Sequence, residues 1–202
     1  MGTSKYIKVS APKTINDLRI RHVEVLTNPK FQKSFDIELM IEFVSLITGA
    51  KLSDLRKAYI SNIEDVYKHC ITLFNDYKPM KPKEQIIVNG QLFDLVNPSK
   101  VGIGWHIDVS NSDFTKQPEK LVAMMYVEHG TTYGELDENK NMKQPNSVRM
   151  ELFKEHLPLP VYLNCVDFFL RQSLKSMSKF MESKIKRVRI KGTLSSLMFG
   201  SN

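Results

Sequence analysis

Thirteen residues, EQIIVNGQLFDLV at positions 84–96, restrict the fold of this chain more than any other stretch. Asn89-Gly90 is the favoured pair for a type I′ turn, because both central positions need positive φ, and short apolar strands flank it. That turn sets the register. Val88 faces Gln91 and Ile86 faces Phe93, so Ile86, Val88, Phe93 and Leu95 share one side of the ribbon. A two-stranded hairpin is marginal in water, so this side must be covered. The remaining apolar residues recur at helical spacing, which makes the covering layer helical. The expected fold class is mainly α with a central β-hairpin (α+β), two similar helical halves flanking the hairpin.

Before the hairpin, Ile37, Met40, Ile41, Val44 and Ile47 predict a helix over 35–48. Ser34 or Asp36 caps its start, and Gly49 stands at the position that favours a left-handed residue. A short turn of helix capped by Ser53 follows. Ser61-Asn62-Ile63-Glu64 then reads as a capping box, opening a helix whose stripe is Ile63, Val66, Tyr67, Cys70, Ile71 and Phe74. Pro79 and Pro82, among lysines, mark the linker to the hairpin.

After Asn97-Pro98 a second helical half is expected. It contains a helix over 118–128 ended by Gly130, a polar loop over 131–145 and a helix over 147–156. A long helix beginning at Pro160 carries Val161, Tyr162, Cys165, Val166, Phe168, Phe169 and Leu170 around most of its circumference, a pattern of burial on more than one side. Each half has an apolar entry (18–26 and 101–109), then an apolar helix closed by glycine (Gly49; Gly130). Each ends in a helix with an aromatic and a cysteine (Tyr67 and Cys70; Tyr162 and Cys165). The expected divisions are 1–82 as the N-terminal half, 83–97 as the hairpin, 98–182 as the C-terminal half and 183–202 as a basic arm.

Composition matters mainly through charge. A hydrophobic fraction of 42% with 25% charged residues argues against wholesale disorder. The net charge of +7 is localised: from Arg171 onward there are eight basic residues and one acid, Glu182, so residues 1–170 are neutral. Any acidic partner must therefore meet the end of the chain. The start lacks an apolar signal core, and no apolar stretch approaches membrane-spanning length, so a cytoplasmic, non-membrane protein is expected. The two cysteines, Cys70 and Cys165, sit on apolar helix faces and read as buried thiols.

Catalytic and metal-binding patterns are not found. His22, His69, His106, His129 and His156 are scattered without ligand spacing. His106 and Asp108 beside Trp105 would share a face if that segment were a strand, and a solvated polar edge is the favoured reading. Gly102-Ile103-Gly104 is a fragment of a dinucleotide fingerprint without its third glycine, and it reads as a tight turn. Glu135, Asp137 and Glu138 lack the spacing of a calcium loop. The chain is expected to be no enzyme, with no cofactor, metal or small-molecule substrate.

The basic end offers a surface for partners. Lys184, Lys186, Arg187, Val188, Arg189, Ile190 and Lys191 interleave cations with β-branched residues, and in a strand Val188 and Ile190 would face one way with Arg187, Arg189 and Lys191 opposite. Strand addition to a neighbouring subunit, phosphate contact with DNA and a solvated tail remain open readings. Phe168, Phe169, Arg171 and Leu174, on the apolar helix, are candidate subunit contacts.

The order of segments resembles a family of small structural or morphogenesis proteins of tailed bacteriophages, including crAss-like phages. The stretches that carry the resemblance are TINDLRIRHVEVL, DIELMIEFVSLITG, IIVNGQLFDLV, VGIGWHIDVSN, EKLVAMMYVEHGTTYGE and LPLPVYLNCVDFFLRQSL, together spanning most of 14–174. GIGWHID replaces the family's usual acidic or Gln-containing second entry, and the basic extension after Leu174 lies outside the pattern. The resemblance implies a virion structural protein, an oligomeric, ring-forming component of the portal, head–tail connector or tail. It would bind copies of itself and other connector or tail proteins, in the virion and, during assembly, in the host cytoplasm. A tail assembly chaperone absent from the mature particle, or a DNA-associated packaged protein, are the alternatives it implies.

Overall fold

The computed structural model describes residues 7–32, 36–98, 100–114, 116–136, 139 and 146–172. The chain divides into two compact units between Cys165 and Val166. The arm over 183–202, Leu174, Asp137 and Glu138 lie outside the described residues.

The fold is mainly helical with a small antiparallel sheet. Two short 3-10 turns, Ile15–Asp17 and Ile20–His22, lead into α1 (Val23–Thr27), α2 (Pro29–Gln32), α3 (Ile37–Thr48), α4 (Leu52–Leu55) and α5 (Ile60–Asn75). Asp36 starts α3 by accepting the Glu38 N–H at 2.8 Å, and Gly49 ends it at φ 74°, a conformation costly for residues with a Cβ. The inward stripe of α3 meets that of α5: the Phe43 ring stands edge-on to Tyr67 at 5.0 Å and to Phe31 at 5.7 Å. The Tyr67 hydroxyl donates to the Phe31 carbonyl, so the one polar atom of that aromatic group is satisfied. Leu18, Leu26, Leu55 and Leu159 complete this core.

The hairpin forms in the expected register. In β1 (Gln85–Val88) and β2 (Gln91–Leu95), Val88 pairs with Gln91 and Ile86 with Phe93, across Asn89 at φ 49° and Gly90 at φ 78°. Ile86, Val88 and Phe93 are buried, as the alternation requires, and Leu95 is half-buried. Their cover is α8 (Asn146–His156), whose Phe153 meets Phe93 edge-on at 5.0 Å.

Several of the elements expected from the sequence take another form in the structure. The helix expected over 118–128 stops early: α7 is Pro118–Met125, and Tyr126–Glu128 form β3 on the far side of β2. Tyr126 and Val127 favour extended backbone, and β2 offers a free ladder, so pairing overrides the helical rhythm. Gly130 consequently follows a strand and turns the chain at φ 80°. The entry over 101–109 holds a helix, α6 (Ile103–Ser110), which removes the shared strand face of His106 and Asp108. Gly102 precedes that helix in extended conformation and Gly104 lies within it, so neither makes a tight turn. Finally, α5 begins at Ile60 after Tyr59, and α4 begins at Leu52 after Lys51, so Ser61 and Ser53 lie inside first turns and do not cap.

Two features join early and late segments of the first unit. Leu18 accepts from the Leu159 N–H at 2.9 Å, and the Ile20 N–H donates to Leu157 at 3.3 Å, so the opening segment pairs with the chain between α8 and the helix over 159–172. The C-terminal end of α7 is buried, and all four of its terminal carbonyls are taken. Val122 accepts the Tyr126 N–H, Ala123 the Arg149 Nε–H at 3.0 Å, Met124 the Trp105 indole at 2.8 Å and Met125 the Val96 N–H at 2.7 Å. Four segments are thereby fixed around one helix end.

Candidate interaction surfaces

Of the candidate subunit contacts, Phe168, Phe169 and Arg171 are described, and all three lie on the helix over 159–172. Phe168 and Phe169 are half-buried, and Arg171 is exposed. Arg171 donates through Nε to Asp167 at 2.6 Å, one helical turn away, and this carboxylate raises the guanidinium pKa. The arm residues Lys184, Lys186, Arg187, Val188, Arg189, Ile190 and Lys191 lie outside the described residues.

The polar side chains of the first unit act largely as clamps. Asp94 accepts from Gln85 Nε2 at 2.9 Å, lies 2.8 Å from His129 Nδ1, and accepts from the Gly130 N–H, tying the hairpin to the turn after β3. These bonds, that from Gln85 first, hold its carboxyl below the usual range. Asp108 accepts from the Tyr133 hydroxyl at 2.7 Å, and Asn146 donates to that same hydroxyl at 2.9 Å, which fastens α6 to the start of α8. Asn164 is buried, and its Oδ1 accepts from the Tyr77 hydroxyl at 2.8 Å and the Met80 N–H at 2.7 Å. A backbone N–H can only donate, so the amide oxygen must face Met80. The linker between α5 and the hairpin is held there, beside a cavity of about 280 Å³ lined by Tyr77, Pro82, Tyr126 and Pro160.

A second cleft, of about 360 Å³, lies between α1 and the start of α7. Its charged lining is of both signs: Arg21, Lys116 and Lys154 against Glu24 and Glu119. Arg21 already pairs with Glu155 at 2.7 Å and Lys116 with Asp113 at 3.3 Å, so the cleft has no concentrated field of one sign. Both thiols are buried and reduced, and burial pushes Cys70 up to about 11 and Cys165 further still, which makes each a poor nucleophile at neutral pH. Among the described residues there is no group of three or more His, Cys, Asp or Glu side chains placed to hold a metal, and no helix long and apolar enough to cross a membrane.

Two features of the structure have no signature in the sequence pattern. Arg149 is buried, 3% exposed, with its Nε on the α7 end. An arginine on a helix with few apolar residues gives no signal of burial. Arg149→Leu should lower stability by about 2 kcal/mol, because the Ala123 carbonyl loses a charged donor without gaining water. Urea unfolding tests this, and a variant as stable as the wild type would contradict it. The other feature is the open outer edge of β1, where Ile87 is 72% exposed.

Comparison with protein-family models, with curated proteins and with solved structures finds no match to this chain.

Proposed function

We propose that the chain is a non-enzymatic structural protein of a tailed-bacteriophage particle. It acts as an oligomeric component of the portal, head–tail connector or tail, and its basic arm grips neighbouring subunits. The observation that carries this reading is the separation of charge: +7 resides in residues 171–202, while residues 1–170 are neutral. A neutral scaffold with a strongly basic extension suits attachment to a partner better than turnover of a substrate. The segment order that resembles phage morphogenesis proteins supports the same reading.

The test is mass spectrometry of purified particles, with copy number, alongside a chain truncated after Met181. The protein is expected in the particle in multiple copies, and truncation should abolish assembly while the far-ultraviolet circular dichroism stays native-like. A protein absent from particles yet bound to tail proteins during assembly would be a chaperone instead. DNA association through the arm would show itself by salt: five phosphate contacts give a slope of roughly −4 to −5 in log affinity against log salt.

A further inference from the structure

The outer edge of β1 has no strand beside it among the described residues. The Leu95 N–H donates to the Glu84 carbonyl at 2.8 Å, which makes residues 84 and 95 a hydrogen-bonded pair. Pairs alternate along an antiparallel ladder, so Ile86–Phe93 and Val88–Gln91 are also bonded pairs. The N–H and C=O groups of Gln85 and Ile87 must then point away from β2. None of these groups has a hydrogen-bond partner among the described residues.

Edge strands are ordinarily blunted by lysine, proline, a bulge or a covering element. Gln85–Val88 contains neither lysine nor proline and pairs residue for residue with β2, without a bulge. Its Gln85 and Ile87 side chains are exposed, whereas on the opposite edge Tyr126 and Val127 of β3 are buried. The open edge therefore has the form of a template for one more strand.

We infer that this edge receives residues 185–191 of a second copy of the chain as an added strand. The inference rests on the structural-protein reading above and names the acceptor surface for its arm. Ile185, Val188 and Ile190 supply β-branched side chains, and that segment has no proline or glycine to interrupt a ladder. Charge favours it: the three strands hold Asp94 and Glu128 and no lysine or arginine, with Glu84 at the entrance to β1. Lys83 stands just before that entrance, outside the strand that the arm would pair with. Eleven residues separate 172 from 184, a reach of up to about 40 Å for extended chain. An arm given to one neighbour and an edge offered to another make a heterologous contact, which builds rings or filaments.

The experiment uses full-length chains and analytical ultracentrifugation. Ile87→Pro removes an outward N–H while sparing the bonded pairs of the hairpin, and Val188→Pro removes a donor from the arm. The wild type is expected to self-associate, with each variant weakened by about tenfold or more in dissociation constant. An equimolar mixture retains one intact edge and one intact arm, and should form dimers and nothing larger. Ile87→Lys, which keeps the backbone donor but charges the edge, guards against misfolding of the proline variant; thermal unfolding reports whether each is native. A monomeric wild type, an Ile87→Pro chain that assembles normally, or a mixture that stays monomeric would each overturn the inference. A chain found in particles but monomeric in solution removes this contact and leaves the structural role standing. Absence from particles removes that role without bearing on the edge.

Discussion

Phe153→Ala is expected to lower the unfolding free energy by roughly 3–5 kcal/mol, the range for truncating a buried aromatic side chain. The residue is fully buried, and α8 has only Arg149 besides it among buried side chains. Its ring meets Phe93, at the centre of β2, so truncation opens a void between the helix and the sheet. Phe153→Leu retains most of the volume and should cost markedly less. At about 3 °C per kcal/mol, the alanine variant should melt on the order of 10 °C lower. A loss below about 1 kcal/mol would mean that α8 is not what secures the hairpin.

The same contact shows what a sequence reveals and what it withholds. Asn89-Gly90 specified both turn and register, because few residue pairs accept positive φ twice in succession. The paired stripes of α3 and α5 were legible for a similar reason: periodicity is local information. β3 was hidden because Leu121, Val122 and Met125 continue without a break into Tyr126 and Val127, and only the presence of β2 decides which backbone those last residues adopt. The burial of Arg149 was equally invisible. Its partner is a carbonyl orphaned by the end of α7, and that end falls where it does because β3 forms. The candidate arm was legible only as charge and alternation, while the edge that could receive it depended on knowing which side of β1 stays unpaired.

Acidification should weaken the fold between about pH 6.5 and pH 4 through His22. Its imidazole is 5% exposed, and its pKa is lowered from 6.5 to about 4, first by burial and then by the charges of Arg21 and Arg19, with Glu155 opposing. Geometry explains the direction. Nδ1 accepts the Arg19 N–H at 3.0 Å, so the neutral ring carries its proton on Nε2. The Arg21 Nε 3.3 Å from Nε2 then faces a donor, and the contact brings a cation to the ring without a hydrogen bond between them. Protonating Nδ1 would aim a second N–H at the Arg19 N–H. Across this window the unfolded chain binds more protons than the folded one, so stability falls with falling pH. The contribution is complete above pH 6.5 and fully lost below about pH 4, a change on the order of 3 kcal/mol. His22→Gln offers an amide oxygen to the Arg19 N–H and does not titrate. Urea unfolding of that variant should be flatter between pH 7 and pH 4 than that of the wild type. Two parallel curves would place the acid sensitivity elsewhere and remove His22 as its source.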